Sequence, residues 1–301
     1  MPMLPLRLLC IALIVAALCG AEAVGAWPAD FRTAVVVSRK IRPYIQVMEG
    51  VLQEMAEQDL SADPDLFFLE PENRQVLDQV TKRLKGGGYD LVCAVGQDAA
   101  SLVWGSGVTS QKMYAAVLDP ASVPGLPPDA CGISLRIPVP LQVAAIAGTF
   151  PQVNRIGLLF DPRHNAWFLD AARNAARELD LEIIPMPVTG RARIAPVLKD
   201  HLGRVQLIWM IPDSTIISEK IIHYVIKQGL YQNTGVIGYN PFFTRSGALF
   251  SFEFDYRALG RQAGEKLVTL VTTGKCLTDA PVFSFIVNEK VADRLKVRWM
   301  K

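Results

Sequence analysis

Polar side chains that directly follow short apolar runs are the residues of this sequence placed to do chemistry. Ser38 closes the run Thr33 to Val37; Gly96, Gln97 and Asp98 follow Val95; Asp119 follows Leu118. Asp161 and Asn165 come after Phe160, Asp213 and Ser214 after Ile211, and Asn240 after Tyr239. If the runs are strands of parallel sheets, these residues sit in the crevice beyond the strand carboxyl ends, where loops and helix N-termini expose N–H groups. Such a set grips a solute: backbone N–H groups with Ser38 or Gln97 suit a carboxylate, and Asp119 or Asp213 suit an amino group. Some also have a purely local use, because Asp161-Pro162 is a turn signal and Asp98 or Asn165 can cap a helix. On this reading Asp213→Ala removes a ligand-induced rise in melting temperature and leaves the unliganded protein nearly unchanged.

Aromatic residues gather near the same run ends: Tyr44, Trp167, Tyr239, Phe242, Phe243, Phe252 and Phe254. Phe252 and Phe254, two apart in a strand, share one face, and a common core is the favoured role for them. Trp167 and Tyr239 remain candidates for stacking on a ligand ring.

The residues of known catalytic patterns are missing. The sequence holds no GxSxG, HExxH, CxxC or GxxxxGK[ST], and no GxGxxG after the first strand. Gly86-Gly87-Gly88 precedes a strand, the wrong side for a phosphate cradle, and supplies helix-ending conformations instead. His164, His201 and His223 are far apart, the latter two in helical stretches, so neither a metal site nor a general base is expected. The expectation is a binding protein without catalysis, cofactor or metal.

Positioning these residues requires alternating strands and helices, and the pattern supplies them. Strands are predicted at Thr33 to Val37, Phe67 to Leu69, Asp90 to Val95 and Met113 to Leu118, with helices at Tyr44 to Gln58, Arg74 to Lys85 and Asp98 to Trp104. Six prolines between Pro120 and Pro140 mark a surface passage, with a first crossing near Ile137 to Pro140. The alternation then restarts. Helices are predicted at Leu141 to Gly148, Asn165 to Leu179, Ile194 to Leu202 and Thr215 to Gln228. Strands are predicted at Arg155 to Phe160, Leu181 to Val188, Val205 to Ile211 and Gly235 to Tyr239. A strand Gly247 to Phe254, a long helix Tyr256 to Thr273 and a strand Val282 to Val287 complete the chain. The class is α/β, divided into a leader (1–26), a first lobe (27–138 plus 241–276) and a second lobe (139–240 plus 277–301).

The N-terminus points to export from the cytoplasm as the expectation. Arg7, an apolar run from Leu8 to Leu18 and small residues from Gly20 to Ala26 are ordered as in a secretory signal peptide, and the run is too short to span a bilayer as a helix. Ala21-Glu22-Ala23 and Val24-Gly25-Ala26 compete as cleavage sites. Cys19 raises lipid anchoring, against which the bulky Leu18 before it argues. The expected location is periplasmic. Past the leader, Cys93, Cys131 and Cys276 form an odd set in an oxidising compartment; Cys93 lies in an apolar run, and no disulfide framework is implied. A formal charge of +2 with scattered basic residues recommends no nucleic-acid partner.

Particular stretches carry a resemblance. They are Val35-Val36-Val37-Ser38 leading to Met48-Glu49-Gly50, Ala94 to Ala100 with Gly96-Gln97-Asp98 at its centre, Val117-Leu118-Asp119-Pro120, Ile156 to Pro162 followed by Asn165, Pro212-Asp213, and Gly247-Ala248 followed by Asp255-Tyr256 and Gly260. In this order the chain resembles, from about Ala34 to Val287, the periplasmic substrate-binding proteins of ATP-binding-cassette transporters, whose better-known members are tryptophan or tyrosine binders. The resemblance implies a type I periplasmic-binding-protein fold: two Rossmann-like lobes with parallel sheets, a three-crossing hinge and a small-molecule ligand trapped between the lobes. It also implies a permease and an ATPase in the inner membrane as partners of a monomer. The candidate ligand set, read from the strand ends and the aromatic positions, is Ser38, Gly96, Gln97, Asp119, Asn165, Trp167, Asp213, Tyr239 and Asn240. The chain departs from the family pattern at Gln97, at Phe252-Glu253-Phe254 and at Cys131-Gly132-Ile133-Ser134. The amino-acid ligand is therefore not carried over, and a sensor subunit or an exported enzyme of similar fold stand as the alternatives.

Overall fold

A computed structural model describes residues 31–60, 63–276 and 279–300. The segment expected to be a leader, with Cys19 and the two candidate cleavage sites, lies outside the described residues. The first half builds β1 (Thr33–Val37), α1 (Arg42–Glu57), β2 (Asp65–Phe68), α2 (Arg74–Gly86), β3 (Leu91–Val95), α3 (Gln97–Gly105), β4 (Gln111–Val117) and β5 (Gly132–Ser134). The five strands form one parallel sheet in the order β2-β1-β3-β4-β5. Every residue of β1 and β3 is buried, as continuous apolar strands require when helices cover both faces. Val47, Val51 and Met55 of α1 cover one face, and Val80 and Leu84 of α2 with Val103 of α3 cover the other.

The second half runs through α4 (Val139–Thr149), β6 (Arg155–Phe160), α5 (Pro162–Ala176), β7 (Glu182–Pro187), α6 (Ile194–His201), β8 (Leu207–Met210), α7 (Glu219–Tyr231), β9 (Gly235–Gly238), α8 (Pro241–Arg245) and β10 (Phe250–Glu253). It continues with α9 (Tyr256–Thr273), β11 (Ser284–Val287) and α10 (Glu289–Leu295). The second sheet has the order β11-β10-β9-β8-β6-β7, parallel except where β11 runs against β10.

Helix boundaries follow from caps. Asn73, Ser218, Asn288 and Asp255 each accept hydrogen bonds from amides in the first turns of α2, α7, α10 and α9. Gly274 ends α9 in the left-handed region at φ 67°. The helix predicted from Thr215 begins only at Glu219, because the Thr215 amide donates to Asp213 and Ser218 caps the helix.

The chain passes between the sheets three times: at Leu135–Pro138, at Phe254–Asp255 and between the end of α9 and the start of β11. This is the two-sheet, three-crossing α/β architecture expected from the sequence. Its partition differs in one segment. The sequence reading grouped 241–276 with the first lobe, whereas Phe243 of α8 packs in the second sheet's core and β10 pairs with β9 and β11. Only α9 returns to the first sheet, against α1, where Leu259, Ala263 and Leu267 join its core. The two helices touch backbone to backbone: a Cβ on Gly50 would fall on the Arg257 carbonyl, and one on Gly260 on the Val47 carbonyl.

One covalent link was not expected. Cys131, just before β5, is bonded to Cys276, just after α9, across 145 residues of sequence. Spacing alone gave no pairing, and the link arises because α9 folds back onto the first sheet. Among the described residues Cys93 is the free thiol, and burial pushes its pKa up to about 12. Cys276→Ser is expected to cost about 2–4 kcal/mol of unfolding free energy in a non-reducing denaturant titration, with reduction of the wild type lowering it similarly.

Candidate ligand cleft

A cavity of about 290 Å³ opens between the two sheets. Leu118 and Asp119 reach it from the end of β4, and Leu135, Arg136, Ile137 and Pro138 from the first crossing. Val139 and Gln142 of α4 add to that wall. The second sheet contributes Asn165, Trp167 and Phe168 on α5, Ile211 and Pro212 after β8, Tyr239 after β9, and Phe252 and Phe254 at β10. Most of these positions lie at strand carboxyl ends or in loops just beyond them, as the topology of parallel sheets dictates.

Of the nine residues chosen from sequence, Asp119, Asn165, Trp167 and Tyr239 line this cavity. Ser38, Gly96, Gln97, Asp213 and Asn240 do not, and each has structural work nearby. The Ser38 hydroxyl is fully buried and accepts from the Ala99 amide at 2.8 Å, holding the first turn of α3. Gly96 sits at φ 89°, where a Cβ would press on Ser38 Oγ and Tyr44, so glycine is required by the close approach. Gln97 clamps the Asp119 loop: its Nε2 donates to the Asp119 carbonyl at 3.1 Å and to Ser122 Oγ at 2.9 Å. Asn240 caps α8, accepting from the Phe242 amide at 3.0 Å. A polar residue after a strand can hold a helix end or a loop, as Ser38, Gln97 and Asn240 do here.

Asp213 differs most from expectation. Its carboxylate is 1% exposed and accepts from the Asp161 amide at 2.7 Å, Asn165 Nδ2 at 2.8 Å and the Thr215 amide at 2.9 Å. Asp161, fully buried beside it, accepts from the Arg163 guanidinium, the Arg163 amide and Thr215 Oγ1. Hydrogen bonding from the Arg163 side chain, helped by Thr215 and the backbone, holds the Asp161 carboxyl well below the usual carboxylate range against the opposing effect of burial. The two carboxylates stitch the ends of β6 and β8 together beneath the cleft.

Arg136 was missed. It follows β5, a three-residue strand hidden in the proline-rich passage, which leaves no apolar run in the sequence to mark the position. Its guanidinium pairs with Asp119 at 3.1 Å and lies 5.5 Å from the centre of the Trp167 ring, joining the first sheet's side of the cleft to α5 of the second. All three side chains are partly exposed, so the pairing is worth little as stability and acts mainly as positioning. Phe252 is in the core, as favoured from sequence, and its ring also forms cleft wall; Phe254 packs against the cores of both sheets. Burial raises the Tyr239 pKa, keeping a neutral hydroxyl at the cavity.

A further feature sets the first wall. Ala116 adopts φ 55°, the left-handed region unusual for a residue with a Cβ, at the register shift between β4 and β5. The bulge lies immediately before Leu118, 57% exposed, and Asp119. Among the described residues no group of His, Cys, Asp and Glu could hold a metal ion. His201 bonds the Val197 carbonyl and His223 packs on Phe242, both away from the cavity.

Two α/β sheets joined by three crossings around a small cavity are the architecture of two-lobed solute-binding proteins. The ABC transporter substrate-binding protein family model matches residues 35–300, and the chain belongs to that family. Among solved structures, the fold is similar to a ligand-free, open substrate-binding protein with adhesive properties from Clostridium difficile (17% identity, 89% of this chain and 95% of that one, TM-score 0.70). It is also similar to a Streptococcus pneumonia ABC domain in complex with L-Trp (20% identity, 89% and 95% covered, TM-score 0.55). A periplasmic ribose ABC transporter protein from Conexibacter woesei matches at 14% identity, 88% and 95% covered, TM-score 0.56. No curated protein matches the chain.

Two predictions follow from the buried carboxylates. Asp213→Ala strands three donors, so the unliganded protein is expected to lose about 2–4 kcal/mol in denaturant unfolding, in contrast to the sequence reading. Because the folded Asp161 pKa is depressed, its ionised form stabilises the fold above about pH 4 and that contribution is lost as the pH falls. Asp161→Asn should therefore be less stable than wild type near neutrality, with the gap shrinking on acidification.

Proposed function

We propose that the cleft captures a small organic solute with an apolar, ring-bearing body, an aromatic or other large amino acid, for delivery to an ABC importer. The character of the cavity wall carries this reading. A volume of about 290 Å³ lies at the small end for ligand sites and suits one amino-acid-sized molecule. Trp167, Phe168, Tyr239, Phe252 and Phe254 offer ring surface, while Asp119, Arg136, Gln142 and Asn165 supply few polar groups. Gln142 already donates to the Ile137 carbonyl at 2.8 Å. A sugar of this size needs most of its hydroxyls matched by protein partners, and this wall is too apolar to do so. Arg136 is the cation available to a carboxylate, on the same side chain that stacks on Trp167.

The ligand touches both walls at once, so it favours the conformation in which the sheets approach, and the three crossings take up the motion. The protein binds without turnover. Its partners are a membrane permease and ATPase, and it acts as a monomer in the periplasm. The Cys131–Cys276 bond supports an extracytoplasmic place, since such bonds persist in oxidising compartments. Among the described residues no helix is long and apolar enough to cross a membrane.

A thermal-shift screen of amino acids and simple sugars tests the reading. Aromatic amino acids at a hundred times their dissociation constant are expected to add about 2.7 kcal/mol of stability, an effect that Trp167→Ala reduces. A shift with a pentose or hexose and none with any amino acid would overturn it.

A further inference from the structure

The lower wall of the cleft contains an amide whose orientation the buried network determines. We infer that Asp213 locks Asn165 as a hydrogen-bond acceptor toward the cleft without itself touching the ligand. The site thereby selects solutes that carry a hydrogen-bond donor, an ammonium group above all, at that point. The inference rests on the cleft being the ligand site and adds which chemical group its second-sheet wall reads.

Three observations carry it. First, both oxygens of Asp213 are committed as acceptors: Oδ1 to the Thr215 amide, Oδ2 to the Asp161 amide and to Asn165 Nδ2. Turning the Asn165 amide over would set its carbonyl oxygen against Oδ2, two acceptors in contact with no proton between them. The NH2 end therefore faces Asp213 and Oδ1 faces away. Second, Asn165 lines the cavity, and among the described residues no donor bonds its Oδ1. It is not spent as a cap either, because Asp161 caps α5 and the helix kinks at Asn165 (φ −125°, ψ 23°). Third, the charge behind it is lopsided. Asp161 has the Arg163 guanidinium, whereas no ion pair forms at Asp213 among the described residues. The Asn165 dipole thus lies with its positive end on a carboxylate and its negative end toward the cleft, an arrangement that favours a cation or an N–H group there. Asp213 is a positioning residue on this account, and Asn165 is the group that meets the solute.

The test uses the whole mature protein and two probes of one skeleton: L-tryptophan, and 3-indolepropionate, which lacks only the ammonium. Calorimetry on the wild type is expected to show tryptophan bound at least about tenfold more tightly, the scale of a hydrogen bond to a charged group. Asn165→Leu should weaken tryptophan alone and bring the two probes close together. Asp213→Asn, where it folds, should narrow the ratio by freeing the amide to turn, with the affinity for 3-indolepropionate largely kept. Equal binding of the two probes to the wild type, or equal weakening of both in Asn165→Leu, would overturn the inference. Nitrogen-15 spectra of the ligand-free protein give a reading that needs no ligand. The Asn165 side-chain amide, assigned by its loss in Asn165→Leu, should exchange slowly with solvent; exchange as fast as in a free amide sinks the inference. If neither probe binds, the aromatic-solute proposal fails while the amide measurement still decides the orientation of Asn165.

Discussion

Parallel strands deliver their loops to one edge, and this protein depends on two such edges being turned toward each other. The three passages of chain at Leu135–Pro138, at Phe254–Asp255 and between α9 and β11 impose that arrangement. Without it, Asp119 and Asn165 would be loop residues of separate sheets; with it, they face a common space. The surrounding stability is conventional: each sheet has apolar cores on both faces, and α9 locks onto α1 through glycines that admit no side chain.

The cleft's polar groups are held in two ways. On the first sheet the support is adjustable: Gln97 grips the backbone of the Asp119 loop, and Arg136 is shared between Asp119 and the Trp167 ring, all at partly exposed positions. On the second sheet it is rigid, since both carboxylates are sealed from solvent, Asp213 bonded to the Asp161 and Thr215 amides and Asp161 to Arg163 and the Thr215 hydroxyl. Buried charges of this kind persist only when their acceptors are filled, and here they are. One wall can therefore rearrange its side chains around a solute while the other presents fixed groups.

Much of this was legible before any coordinates. The alternation of short β-branched runs with amphipathic stretches located most strands and the long helices, because burial on both faces leaves an unmistakable apolar imprint. Positions just past each strand include Asp119 and Asn165, and Trp167 and Tyr239 stand out by their rings; all four line the cavity. The same positions also include Ser38 and Asp213, because a buried polar side chain that holds the next helix or loop looks identical in sequence to one that holds a ligand. Arg136 was invisible for a different reason: β5 is three residues long amid prolines and leaves no periodicity. The Cys131–Cys276 link and the placement of β10 were illegible because both depend on where α9 lands, a tertiary fact.

That link has a mechanical meaning. The third passage leaves α9, but its anchor on the first sheet is displaced from the end of the helix to the sheet's edge at β5. The strand pairing nearest the first passage is thus covalently tied to the beginning of the third, so the two straps share one mooring. Loosening either passage from its sheet would drag on the other, and whatever swing the halves possess must pivot about a braced pair of connectors instead of three independent cords.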